Sequence, residues 1–342
     1  MTALDLKSRV SSLRKRLRLH RKERIIVVSC VALAASYPVF DWLKTRAAAP
    51  TPEPSLPGGY YEEEFPLVLN APPYGKIYYT TDGSTPSENS QVYHGGIPIT
   101  DRSAEPNVYH SIRNVVMDWK NFTPDQKLVN KGTVVRAVYI SDWGSKSDIL
   151  TQTYFVGIQP PEQGYTLSLV FEDEDVFGQD GIYVTGKAYD DWYLNDGTGD
   201  GPLPNYMVKR EVGAVAELLG ETGDVMNQKV GIRIQGKSAR ERWDKRFTLT
   251  ARKEFGGSPV FDTVLYDGVL THSVMLKSQL PDAIIGDLAS DRAVALQGSI
   301  PVSLYLNGEH WYDCYMLERY DEQYFCQHYQ VDDRVLVKNS MV

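Results

Sequence analysis

Residues 231–252 read GIRIQGKSARERWDKRFTLTAR, and the fold of the second half of the chain turns on this stretch. Ile232 and Ile234 alternate with Arg233 and Gln235, the period-two pattern of a half-buried strand. Gly236 then frees the backbone. Phe247, Leu249 and Ala251 alternate with Thr248, Thr250 and Arg252, so a second strand returns. Between the strands sit Lys237, Ser238, Arg240, Arg242, Lys245 and Arg246. Five cations within ten residues suit an anionic ligand such as a polyphosphate. The same run fits a solvated charged tip, because charge runs usually face water. The spacing leaves both readings open.

Downstream of the hairpin, 272–278 (HSVMLKS) reads as a strand and 281–296 as a helix with Ile284, Leu288, Ala289, Ala293 and Leu296 on one face. A strand at 300–306 meets Asn307-Gly308, the strongest short hairpin signal, and returns over 309–317. Asp321–Tyr329 reads as a helix and Val335–Lys338 as a short strand. Upstream, 166–171, 181–186 and 209–216 read as strands, and 172–175 as a solvated acidic turn. The loop 195–201 places Asp196, Thr198 and Asp200 at alternate positions with Gly201 sixth. Met207 stands at the twelfth place, where a calcium loop needs a carboxylate, so a plain loop is expected.

Residues 60–157 show short β-type runs at 65–69, 76–80, 95–100, 132–141 and 147–156, separated by turn signals such as Asp82-Gly83-Ser84-Thr85-Pro86. That spacing predicts an immunoglobulin-like β-sandwich with an irregular insert at 101–130. Tyr60, Tyr61, Trp119 and Trp143 are candidates for carbohydrate contact or for ordinary packing.

At the other end, residues 1–24 hold nine Lys/Arg and two acids, a charge of +7. An uncharged run follows from Ile25 to Phe40. The expectation is a cytoplasmic arm at 1–24, a transmembrane helix at 25–43 and an outward-facing body, with a cleaved signal peptide as the alternative. Residues 44–59 form a Pro-rich linker. The net charge is −8, so the remainder carries −15 (−8 − 7), which disfavours non-specific nucleic-acid binding. At 342 residues, with 42% hydrophobic and 23% charged, the chain has room for two globular units. Three cysteines make no disulfide framework, and Cys314 and Cys326 can be a pair or two thiols. There is no Walker loop, H-E-x-x-H or G-x-S-x-G, and six scattered histidines argue against a zinc site.

Two resemblances follow from these residues. Tyr78-Tyr79-Thr80-Thr81-Asp82-Gly83-Ser84-Thr85-Pro86, with Tyr93, Ile97, Val135-Arg136-Ala137 and Thr153-Tyr154-Phe155, resembles the chitobiase/β-hexosaminidase C-terminal-type sandwich. That domain is accessory, and no paired-carboxylate glycosidase pattern accompanies it. The hairpin, MLKSQLPD at 275–282 and SIPVSLYLNGEHWYDCYMLER at 299–319 resemble the spore-coat CotH kinase family.

That second resemblance implies an atypical kinase-like fold over 158–342 that transfers phosphate from ATP to a protein acceptor with Mg2+. Gly236, Lys237, Ser238, Lys245 and Glu318 match its motif positions and are the implied nucleotide-binding residues. Trp311-Tyr312-Asp313-Cys314-Tyr315 lacks the family's glycine and is one residue longer, which predicts a bulge. The helical part that carries the family's metal-binding acids is not evident before Val342, so the catalytic half is expected to be missing. The expected class is therefore α+β: a transmembrane helix, an immunoglobulin-like sandwich, and an incomplete kinase-like domain rich in antiparallel β. The alternative function is a non-catalytic scaffold that binds a cell-envelope polymer.

Overall fold

The computed structural model describes residues 49–266, 270–278, 288 and 296–329. The expected arm, the 25–43 span, most of the 281–296 helix and the 335–338 strand lie outside the described residues.

The first unit is built from short strands broken where the sequence places its turns. They are β1 (Glu53–Pro54), β2 (Gly59–Tyr61), β3 (Phe65–Leu67), β4 (Leu69–Asn70), β5 (Gly75–Thr80), β6 (Gln91–Val92), β7 (Ile97–Ile99), β8 (Thr133–Ser141) and β9 (Leu150–Val156). A five-stranded sheet in the order β2-β9-β8-β5-β6 forms one layer. The β3–β7 pair forms the facing layer. Their inner faces share one apolar cluster, in which Leu67, Ile97 and Ile99 pack with Val135, Ala137, Tyr139 and Tyr154. The alternation that predicted a sandwich thus supplies its inner face.

The second unit departs from expectation. Its strands are β10 (Tyr165–Val170), β11 (Val212–Gly220), β12 (Gly223–Gln235), β13 (Arg246–Thr250), β14 (Ser273–Lys277), β15 (Ser299–Leu306) and β16 (Glu309–Glu318). They close into a seven-stranded barrel in the order β10-β11-β12-β13-β14-β16-β15. Neighbours are antiparallel except β10 and β15, which close the ring in parallel. Alternate side chains point inward and fill the interior, including Leu169, Ala216, Ile232, Leu249, Leu276 and Met316. Between β15 and β16 the register shifts, with Leu304 opposite Tyr312 and Tyr305 opposite His310, so Trp311 is the extra residue of the expected bulge. Residues 181–186 are buried but irregular, not the expected strand.

These observations correct the expected fold class. Strand exceeds helix, 38% against 12%, so the protein is mostly β and not α+β. The helices α1 (Asp173–Val176), α2 (Lys187–Leu194) and α3 (Glu322–Tyr329) are short, and the described residues contain no kinase-like helical lobe. The physical reason is closure. Once β15 pairs with β10, both sheet edges are used, the inner faces pack on one another, and the first unit covers part of the outer face. The single-pass membrane expectation is corrected as well. Among the described residues no helix is long and apolar enough to cross a membrane.

The two units meet along the outer faces of β10, β11 and β15. Val134 packs with Val170 and Val215, and Phe155 packs with Leu219 and Tyr305. The expected solvated turn at 172–175 is also part of this junction. Glu172 accepts from Arg136 at 2.8 Å, and Asp173 accepts from Tyr109 at 2.6 Å.

Candidate functional site

The 231–252 hairpin forms as read, with Ile234 opposite Phe247 and Gln235 opposite Arg246. Gly236 takes φ +119°, and a Cβ there would sit 3.0 Å from the Ala239 Cβ, so a side chain would strain both backbone and packing. This bend leads into a 3-10 turn over Ser238–Arg240 and leaves Lys237 and Ser238 exposed. The neighbouring cations are already engaged. Arg240 Nη1 donates to the Met207 carbonyl at 2.8 Å. Arg242 grips Asp244 through two bonds of 2.7 and 2.8 Å, and Asp244 also accepts from Ser278 at 2.6 Å. Asp244 is held below its ordinary pKa, because the Arg242 and Ser278 bonds outweigh the upward push of burial.

Lys245 is not part of this exposed tip. It is fully buried, and its ammonium donates to the carbonyls of Val115 and Arg242 at 2.5 Å each. The Nζ also lies 4.0 Å from the Tyr206 ring centroid, within cation–π range. Burial pushes the Lys245 pKa down to about 7, against the opposing charges of Asp244 and Glu241. Its side chain therefore ties the 101–130 insert to the hairpin. It is not presented to a ligand.

Glu318 lies at the opposite end of the barrel. Val274 pairs with both Leu249 and Glu318, so Glu318 is level with Leu249, four residues along β13 from Lys245. That is on the order of 13 Å along the strand. Glu318 Oε1 lies 2.8 Å from His328 Nε2 on α3, and Gln297 donates to its carbonyl at 2.8 Å. A cleft of about 180 Å³, including its open mouth, is lined there by Thr271, His272, Ser273, Glu318, Arg319, Asp321, Gln323 and Tyr324. Among the described residues, Glu318 Oε2 and Thr271 Oγ1 are buried there without a hydrogen-bond partner.

The implied nucleotide set is thus divided. Gly236, Lys237 and Ser238 form one exposed bend, Lys245 is a buried tie beneath it, and Glu318 faces a different cleft. Among the described residues no group of three or more His, Cys, Asp or Glu side chains is placed to hold a metal ion.

The aromatic candidates also divide. Tyr60 stacks on Phe155 and donates to Thr166 at 2.5 Å, and Tyr61 packs at 4.5 Å on Phe65, so both are packing residues. Trp119 stands edge-on to Tyr193. Trp143 is 37% exposed and faces Tyr74, which is 62% exposed, at 6.4 Å and 34° between planes. Tyr74 was not singled out from the sequence. Its position in APPYG, before a strand and among turn residues, is a signal that could have marked it as a rim residue.

Residues 67–154 match the family model described as Fn3 associated, which covers the first unit from β3 to β9. Searches of curated proteins and of solved structures gave no match.

Proposed function

We propose that this protein is a non-catalytic binding module for a cell-envelope polymer, presented by the first unit and braced by the barrel. The Tyr74–Trp143 pair carries this reading. Two exposed rings at one end of the first unit offer flat, negatively polarised faces to the C–H groups of a sugar ring. Tyr and Trp also lose little side-chain entropy on contact. The separation of Lys245 from Glu318 supports the reading from the other side, since phosphoryl transfer needs its charged groups convergent. The test is retention of the full chain on peptidoglycan and on surface polysaccharide. Retention that is lost in a Tyr74→Ala, Trp143→Ala double variant supports the proposal. Absence of retention on both overturns it.

A second reading, ATP-dependent phosphate transfer to a protein as the CotH resemblance implies, has one observation in its favour. Gly236 bends the chain so that Lys237 and Ser238 stand exposed beside a backbone turn, a place where phosphate oxygens can approach. Its test is thermal stabilisation by ATP with magnesium, absent in Lys237→Ala.

A further inference from the structure

The barrel's outer face carries a polar row in register. Ser168 on β10 pairs opposite Glu217 on β11, and Glu217 opposite Asn227 on β12. Outward positions of a barrel normally meet water or lipid, but this row meets β9 of the first unit. The Thr153 amide donates to Glu217 Oε1 at 3.2 Å, and Asn227 Nδ2 donates to the same oxygen at 3.2 Å. Glu217 Oε2 lies 2.5 Å from Thr153 Oγ1, which lies 2.8 Å from Ser168 Oγ. Asn227 also donates to the Thr151 carbonyl at 2.8 Å. Apolar contacts flank Glu217 on both sides along β11, with Val134 against Val215 and Phe155 against Leu219.

The row is buried at Ser168 and Glu217 and exposed at Asn227, and the charge balance of its buried end is unusual. Glu217 has 0% exposure, and no cation contacts it among the described residues. Its charged neighbour on β12 is Asp224, of like sign. Lys229, also on β12, reaches instead towards Asp148 at 3.9 Å. On β9 Tyr154 points the other way from Thr153, into the sandwich core, where Tyr61 lies beside it. β10 presents only the Ser168 hydroxyl. An ionised carboxylate in this setting loses its hydration with no counter-ion in return. The hydrogen bonds can be completed in either charge state, Thr153 Oγ1 donating to the ionised Oε2 or accepting from Oε2–H while its own proton turns to Ser168. The missing counter-ion and the lost hydration therefore decide for the neutral acid.

We propose that the junction between the two units is a proton-operated clasp, in which Glu217 is held neutral between Thr153, Ser168 and Asn227 while the units are docked and loosens the docking when it ionises. Burial pushes the Glu217 pKa from 4.5 up to about 8, and the Thr153 bonds only partly oppose that rise. In the undocked state water returns and the ordinary value applies. Between pH 4.5 and about 8 the docked state therefore binds the extra proton, so docking is tightest in acid and weakens as pH rises through that window. Above about 8 both states are ionised and the dependence ends.

The experiment is hydrogen exchange on the full chain, following protection of the Thr153 amide from pH 5 to 9 relative to an amide in the barrel interior. A single linked proton makes that relative protection fall by up to about tenfold per pH unit below the upper limit. Glu217→Gln mimics the neutral acid and is expected to give a flat profile. Ser168→Ala keeps the carboxyl, so the slope is expected to persist with a shifted midpoint. A flat wild-type profile overturns the proposal without any variant. An unchanged slope in Glu217→Gln overturns it as well.

Discussion

The Asn307 side chain donates to the Asp173 carboxylate at 2.8 Å across the seam where β10 and β15 close the barrel. Its Nδ2 also lies 3.0 Å from the Phe171 carbonyl and 2.9 Å from the Tyr109 hydroxyl, and its Oδ1 accepts from the Phe171 amide at 2.9 Å. One turn residue therefore joins the barrel seam, α1 and the insert. The same residue adopts φ +43°, which Asn tolerates better than most side chains.

Asn307→Ala is expected to lower unfolding stability by about 1–3 kcal/mol, because the Phe171 amide is left buried and unpaired. Asn307→Asp is expected to be worse, since it sets a second carboxylate beside Asp173. Chemical denaturation measures both. Equal stability of wild type and Asn307→Ala would remove the turn side chain from the account of barrel closure.

Lys245 gives a prediction with a definite sign. Its pKa in the folded protein is lowered from 10.5 to about 7 by burial, so the unfolded chain binds the extra proton between those values. Stability from this group therefore rises as pH climbs from about 7 towards 10.5. Lys245→Met lacks the titration, so the wild-type melting temperature is expected to gain on the variant across that range. Parallel curves would show that the ammonium remains charged in its cage of carbonyls and aromatic rings.

Glu309 is the opposite case. Burial pushes its carboxyl up, but bonds from the His110 ring and from the His110 and Val108 amides outweigh that and hold it below 4.5. Those donors lie at 3.1, 2.9 and 2.6 Å, and they anchor the 101–130 insert to β16. The stabilisation is complete above pH 4.5 and is lost as pH falls through the lower folded value. Glu309→Gln is expected to flatten this acid limb and to speed tryptic cleavage at Lys120 and Lys127. Unaltered cleavage at neutral pH would count against the anchoring role.

Tyr74→Ala and Trp143→Ala each are expected to weaken polymer retention about tenfold, close to the ~1.4 kcal/mol scale of an aromatic contact, with no change in melting temperature. Both rings stand at the rim, so their loss leaves the Leu67–Ile99 core intact. A drop in stability would instead mark them as packing residues.

Much of the local structure was legible without coordinates. Ile232, Ile234, Phe247 and Leu249 declared a hairpin by period alone, and Asn307-Gly308 declared the next turn, because side-chain alternation and turn chemistry act over a few residues. The composition of the first unit, with its Asp-Gly and Pro-bearing turns, likewise pointed to short strands in two layers. What the sequence did not settle was which strand edges meet. Closure of β10 on β15 joins segments more than a hundred residues apart, and no local signal carries that pairing. Packing of the 101–130 insert and of Tyr206 decided that Lys245 is buried while Lys237 stays out, and strand pairing put Glu318 at another end of the barrel. Docking decided that Glu217, an unremarkable outward residue in the strand pattern, loses its water. Local periodicity sets the elements. Long-range pairing and burial set the charge state and company of each side chain, since hydration depends on everything packed around it.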